Sequence, residues 1–450
     1  MNAFEQSLHE VMSPAEAADF VALLQAGEPP KTLRPNAAKA AQLNPEYALS
    51  PLFGDAWALK PERPLFAQDP AWHAGAYYVQ EANSLWVGRT VDRYLRHLGP
   101  GALVLDLCAA PGGKSTHISS VLRAGDLLVA NEVISARAAI LHENLSKWGL
   151  GNFVVTRADA ERFGQAGPLF DIICVDAPCS GEGLFRKNDD AQEEWSPEAV
   201  QLCCARQRRI VHDVWPALKA GGILIYSTCT YNRHENEYNV LRFEKELGAQ
   251  RLSLDIPAEA GSVQLETHMH RFYPGKTAGE GFFIAALQKP EGEWAPARPA
   301  KAPKKKAMVA PECPGTSAEQ WLLTQAGSVL YGLRTGAWQN HLQLAQLPGL
   351  LHPGLEWGDV FKGKWKPHPS VALLANSPIS NWVDLDDKQA MTYLRREFVS
   401  GSFGQKGPVG VRWKGIGLGT ANALGHGLNN LWPQGWRLRN NQFQAGSLLL

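Results

Sequence analysis

The chain has 450 residues, too many for one ordinary core, so about two or three domains are expected. No apolar run approaches the roughly 20 residues of a membrane span, and no basic stretch leads into an apolar core near Met1, so neither a helical membrane protein nor a signal peptide is expected. Lys+Arg and Asp+Glu each number 44, which excludes binding a polyanion by net charge alone, and seven cysteines without regular spacing point to reduced thiols in a cytoplasm.

Residues 1–95 read as a mixed α+β region. Ser13 with Glu16 three positions on forms a capping-box pattern, predicting a helix through Leu24 that Pro29-Pro30 ends. From 96 to 290, short apolar runs alternate with helical patterns, the signature of a Rossmann-like, doubly wound α/β domain. The predicted strands are Leu103–Leu107, Leu127–Asn131, Phe153–Thr156, Asp171–Asp176, Gly222–Ser227, Arg251–Leu254 and Gly281–Leu287. Helices are predicted between them, among them Ser135 to Trp148 and Pro197 to Leu218; the adjacent Cys203 and Cys204 lack zinc-ligand spacing and read as helix packing. Residues 291–310, rich in Pro, Ala and Lys, read as a semi-rigid linker.

Residues 311–450 hold more than half of the chain's 15 tryptophans, with Gly415-Ile416-Gly417-Leu418-Gly419 punctuating short apolar runs, and a small β-rich domain is predicted. This region carries 12 bases against 8 acids, and no acid follows Glu397. Basic residues interleaved with tryptophan suit contact with single-stranded RNA, although most tryptophans in a small domain serve its core.

The chemistry concentrates at strand ends, where ligands bind in open parallel sheets. The first strand runs into Cys108-Ala109-Ala110-Pro111-Gly112-Gly113-Lys114. Its end resembles a phosphate loop, but Cys108 stands where that motif needs its first glycine. The other reading is a nucleotide-type cofactor loop, which requires an acid after the second strand for ribose hydroxyls; Glu132 is in place. Asp159 follows the third strand, suited to an adenine amine, and Asp176 ends the fourth. S-adenosylmethionine fits better than NAD, because the loop lacks G-x-G-x-x-G and two thiols lie nearby. These are Cys179 in Asp176-Ala177-Pro178-Cys179-Ser180-Gly181-Glu182-Gly183, and Cys229 in Tyr226-Ser227-Thr228-Cys229-Thr230. A thiolate adding to carbon 6 of a pyrimidine makes carbon 5 nucleophilic enough to take a methyl group, and a base must then remove the carbon 5 proton.

These three motifs, with Tyr77-Tyr78-Val79-Gln80-Glu81, Trp195-Ser196-Pro197-Glu198 and Asn232-Arg233-His234-Glu235-Asn236-Glu237 in support, resemble the Nop/Sun family of RNA cytosine-5 methyltransferases, and within it the RsmF type acting on 16S rRNA. The resemblance implies that Cys229 is the nucleophile and that Cys179 assists product release. It further implies that Cys108 to Lys114, Glu132, Asp159 and Asp176 bind S-adenosylmethionine, with Asp176 and Lys114 also beside the cytosine. No metal is implied. The segments around Tyr393-Leu394-Arg395-Arg396 and Leu431-Trp432-Pro433-Gln434-Gly435-Trp436 resemble a PUA-like RNA-binding end, so 16S rRNA or the small ribosomal subunit is the expected partner. A tRNA cytosine-5 methyltransferase and a non-catalytic RNA-binding assembly factor are the alternatives.

Overall fold

The computed structural model describes residues 3–26, 31–39, 43–52, 55–187, 189–292, 321–334, 344, 347–361 and 364–439. The predicted linker falls almost entirely outside them. Among the described residues no helix is long and apolar enough to cross a membrane.

The first predicted helix forms as Pro14–Gln25. Its capping box is complete: Glu16 N–H donates to the Ser13 hydroxyl at 3.4 Å, and Ser13 N–H donates to the Glu16 carboxylate at 2.9 Å. The buried face sets Phe20 edge-on to Tyr231 and Tyr273, with centroids 5.0 and 5.6 Å away. Strands β1 (Thr32–Pro35), β2 (Ala48–Leu52), β3 (Ala56–Leu59) and β4 (Tyr77–Val79) follow, in an antiparallel sheet of order β2-β3-β1-β4.

The central sheet contains all seven predicted strands, as β5 (Leu103–Asp106), β6 (Leu127–Asn131), β7 (Phe153–Thr156), β8 (Phe170–Asp176), β9 (Leu218–Thr228), β10 (Gln250–Leu252) and β12 (Phe282–Gln288). The order is β10-β12-β9-β8-β5-β6-β7, with β11 (Met269–Phe272) paired to β12. Five strands, β9-β8-β5-β6-β7, run parallel. Helices cover both faces, so these strands are continuous apolar runs rather than alternating ones. Strand order reverses between β5 and β8, which opens a crevice at their carboxyl ends. β12 runs antiparallel to β9, with Ile284 opposite Ser227.

The C-terminal region is β-rich, as expected. Strands β13 (Trp321–Ala326), β14 (Val329–Arg334), β16 (Leu355–Phe361) and β17 (Lys364–Pro367) form an antiparallel sheet, while β15 (Leu350–His352) leaves it to pair with β7 at the edge of the central sheet. The last sheet has the order β18-β20-β21-β22-β19, from β18 (Trp382–Leu385), β19 (Val399–Ser400), β20 (Lys406–Trp413), β21 (Ile416–Leu424) and β22 (Gly427–Asn430). Its core is continuous with that of the N-terminal sheet: Leu33, Leu59, Ala71 and Tyr77 pack in one cluster with Val383, Val411, Leu418 and Trp432. The two ends of the chain therefore form one body.

The tryptophans of this region follow the core reading. Trp357, Trp413 and Trp432 are buried, and Trp321, Trp365, Trp382 and Trp436 are half-buried, so among the described residues of this region no tryptophan is exposed. They supply core. His368, within the tail, accepts the N–H of Ser370 at the start of the short helix Pro369–Ala372 and contacts Glu356 at 3.1 Å, a structural role.

One cation joins the two ends to the central domain. Lys147, on the helix Ser135–Trp148, sits within 5.8 Å of the ring centroids of Trp72 and Trp432 and 5.3 Å from that of Trp436, while its ammonium pairs with Glu143 at 2.5 Å. Desolvated cation–π contacts contribute about 2 kcal/mol. Lys147→Met keeps the stem and removes the charge, so it should lower the urea-unfolding midpoint by an amount equivalent to about 2 kcal/mol. An unchanged midpoint would show that the ring contacts contribute nothing.

Candidate active site

The Cys108–Lys114 loop joins β5 to the helix Gly113–Val121. Gly112 makes the turn with φ +117°, in left-handed space that favours glycine. The neighbouring helix holds the loop from the side: Arg137 donates to the Ala110 carbonyl at 3.0 Å and Asn144 to the Pro111 carbonyl at 2.8 Å. Asn131, at the end of β6, ties three strand ends together. Its Nδ2 donates to the carbonyls of Leu107 at 2.9 Å and Ala158 at 3.0 Å, and its Oδ1 accepts from Ala158 N–H at 2.9 Å and the Thr156 hydroxyl at 3.0 Å.

Two clefts meet over these ends. The larger, about 660 Å³, is lined by Glu132, Asp159 and Cys179 among others; the smaller, about 400 Å³, by Ala109, Pro111, Gly113 and Lys114. Cys108, Ala110, Asp176, Leu184 and Cys229 line both. The loop is thus shared between the clefts, and Gly112, which lines neither, serves the turn alone. Glu132 is buried, and its Oε1 accepts from Ile134 N–H at 3.0 Å. Asp159 stands before the helix Ala160–Ala166 without making a side-chain capping bond, and it is exposed to the cleft. Asp106, at the carboxyl end of β5, lines neither cleft, unlike Glu132, Asp159 and Asp176. It lies under the loop, accepting from the Ser115 hydroxyl at 2.6 Å, and burial raises its pKa to about 6.

Asp176 is held on both oxygens, by Lys114 Nζ at 2.7 Å and the Ser227 hydroxyl at 2.8 Å. Burial opposes the Lys114 ammonium, but Asp176 outweighs it and leaves the pKa above the ordinary value. The sulfurs of Cys179 and Cys229 lie 3.2 Å apart. The Cys179 thiol is held well above its ordinary pKa, first by its hydrogen bond to Cys229 and then by burial. Two buried glutamates clasp the thiol-bearing segments together. Glu235 accepts from Ser180 N–H at 3.0 Å and Gln207 at 2.6 Å, while Glu182 accepts from the N–H groups of Tyr231 at 2.6 Å and Asn232 at 3.1 Å. Cys204 is buried beneath, donating to the His234 carbonyl at 3.1 Å, a packing role as expected.

Residues 95–288 match the family described as 16S rRNA methyltransferase RsmB/F, and residues 380–438 match the methyltransferase RsmF PUA domain. Ribosomal RNA small subunit methyltransferase F of Escherichia coli (strain K12) is 32% identical over 383 residues, spanning 80% of this chain and 78% of that protein. The chain belongs to the RsmB/F methyltransferase family. Its counterpart in Cronobacter sakazakii is 31% identical over 382 residues, again 80% of this chain and 78% of that protein. Among solved structures, NSun6 from Pyrococcus horikoshii with SFG superposes with a TM-score of 0.55 at 21% identity, covering 65% of this chain and 99% of that one, which bears on the fold alone. A methyltransferase homologue from the same organism gives a TM-score of 0.51 at 25% identity, covering 62% and 92%. As a family member the chain is an S-adenosylmethionine-dependent methyltransferase with a Rossmann-like catalytic sheet and a C-terminal PUA-like domain.

Several residues of this RsmB/F site escape sequence reasoning. Val133 and Ile134 are 55% and 51% exposed and wall the larger cleft. Their signal was available: two apolar residues directly after a strand-end acid, outside any buried run. Arg206 and Arg209 reach the same cleft from the helix Pro197–Val214. Lys187 and Glu280 line the smaller cleft from segments far apart in the chain, and no local pattern marks them; Tyr78, within the Tyr77-Tyr78-Val79-Gln80-Glu81 motif, lines it as well.

Proposed function

We propose that this chain transfers a methyl group from S-adenosylmethionine to carbon 5 of a cytosine in 16S rRNA, through a covalent adduct between Cys229 and carbon 6. The observation that carries this reading is the pair of thiols, 3.2 Å apart, where two clefts meet beside the Lys114–Asp176 ion pair. One cleft is suited to the donor. Glu132 offers acceptor oxygens for ribose hydroxyls, Val133 and Ile134 an apolar wall for adenine, and Asp159 an acceptor for its amine. When bound there, S-adenosylmethionine supplies an electrophilic methyl group. The other cleft is suited to a pyrimidine extruded from its strand.

The chain's own residues do the rest. Cys229 adds through sulfur to carbon 6, and the Lys114–Asp176 pair lies beside the ring that takes up the negative charge. After methylation the carbon 5 proton leaves to a base, the Cys229–carbon 6 bond breaks, and the ring regains its aromaticity. Cys179 stands next to the departing sulfur and assists this step. Residues 96–290 hold this chemistry, and the joined regions 1–95 and 311–450 hold the RNA, with the acid-free stretch after Glu397 facing a polyanion favourably.

Bisulfite sequencing of ribosomal and transfer RNA, from cells with and without the gene, tests the reading. Loss of one methylated cytosine in 16S rRNA is expected. A loss confined to tRNA would keep the reaction and overturn the target, and no loss in any RNA would overturn both. Glu132→Ala tests the donor cleft. Removing a charged acceptor should weaken S-adenosylmethionine binding by roughly 10- to 100-fold in calorimetry, with RNA affinity unchanged. Equal weakening of both ligands would reassign Glu132 to the fold.

A further inference from the structure

Glu81, Asp176 and Glu280 are the three carboxylates that line the smaller cleft. Two are fully engaged. Glu81 Oε1 accepts from the N–H groups of Asn83 at 2.9 Å and Glu280 at 2.8 Å, and its Oε2 from Ser84 N–H at 2.8 Å. Asp176 is bound by Lys114 and Ser227. Glu280 differs. Its side chain is only 3% exposed, yet neither carboxylate oxygen accepts a hydrogen bond from the protein. The nearest cations stand off, with Arg186 Nη1 at 3.7 Å and Lys187 Nζ at 3.9 Å from Oε1.

The backbone that carries this carboxylate is fixed. The Glu280 carbonyl accepts from Asn83 Nδ2 at 2.6 Å. The next residue packs against the nucleophile's own segment: a Cβ on Gly281 would collide with the ring of Tyr231, two residues past Cys229. A buried acceptor left empty is costly, and such groups usually await a partner. The partner must bring hydrogen-bond donors and must enter the cleft that Cys229 lines.

We propose that Glu280 reads the target base by accepting hydrogen bonds from the exocyclic amine of cytosine. This rests on the cytosine-5 reading given above. A carboxylate accepting from the cytosine amine is an established mode of base discrimination. Uracil presents a carbonyl oxygen at that position, which faces the carboxylate lone pairs and is rejected.

The test uses the full-length protein with S-adenosylmethionine and two short RNAs from the 16S sequence. They carry cytosine or uracil at the methylated position located by bisulfite sequencing, and the uracil RNA competes against methylation of the cytosine RNA. The wild type should favour cytosine by roughly 10- to 100-fold. Glu280→Gln presents both an acceptor and a donor, so the preference should collapse to within about threefold, with donor affinity and melting temperature unchanged. Glu280→Asp withdraws the carboxylate by one methylene and should give an intermediate ratio even if the glutamine variant folds poorly. A preference that survives in both variants overturns the proposal while leaving the methylation reading intact. A wild type that methylates no cytosine in either assay overturns both.

Discussion

Cys229→Ala should abolish methyl transfer to RNA, by more than about 10⁴-fold, while affinity for S-adenosylmethionine stays within about twofold. Chemistry alone leaves two thiols as candidates, and the proposal that Cys229 attacks rests on its place between the two clefts. Cys229 lines both clefts, whereas Cys179 lines only the larger one. Hydrogen bonding to Cys229 and burial hold the Cys179 thiol well above its ordinary pKa. Cys229 is among the electrostatic partners of the Lys114 ammonium. Single-turnover transfer of labelled methyl, paired with donor calorimetry, checks the prediction. Turnover above about 1% of wild type would remove Cys229 from the role of nucleophile.

The parts legible in the sequence are those whose physics is local. β5, β6, β7 and β8 are buried on both faces, so each appears as a short unbroken apolar run between turn residues, and their predicted limits fall within about two residues of the observed ones. The acid at each strand end was equally readable, because a nucleotide-type loop fixes where the next acid must stand. What could not be read depends on contacts between distant segments. The sequence pattern of β12 is that of any buried strand; it pairs antiparallel with β11 across residues 273–281, where no helix intervenes to carry a parallel crossover, and antiparallel with β9. β15 leaves its own neighbourhood to pair with β7, and nothing within Leu350–His352 announces that edge. Tryptophan patterns cannot separate a stacking platform from a core, since both want large apolar rings near cations. Lys147 between Trp72, Trp432 and Trp436 shows the second use. Of the acids at the strand ends, Asp106 lines neither cleft, and Ser115 on the following helix gives it a hydroxyl partner.

Cys179→Ala should produce the opposite phenotype to Cys229→Ala: a covalent RNA–protein complex that survives denaturing electrophoresis. Attack needs only Cys229 and a polarised ring, and both persist in this variant. Release needs the carbon 5 proton removed and the Cys229 sulfur to leave, and a leaving thiolate is aided by a proton donor at hand. On the proposed reading Cys179 is that donor, its sulfur 3.2 Å from that of Cys229. Its loop is not free to drift, because Glu235 binds Ser180 N–H at 3.0 Å and Gln207 binds the Pro178 carbonyl at 3.0 Å. Alanine removes one sulfur from this clasp without touching any of those bonds, so the fold and the donor cleft should persist. The adduct should form in the presence of S-adenosylmethionine and disappear in the Cys179→Ala/Cys229→Ala double variant, which has no nucleophile. A Cys179→Ala protein that is inactive but yields no adduct would place Cys179 at or before the attack. One that turns over at the wild-type rate would remove it from the reaction altogether.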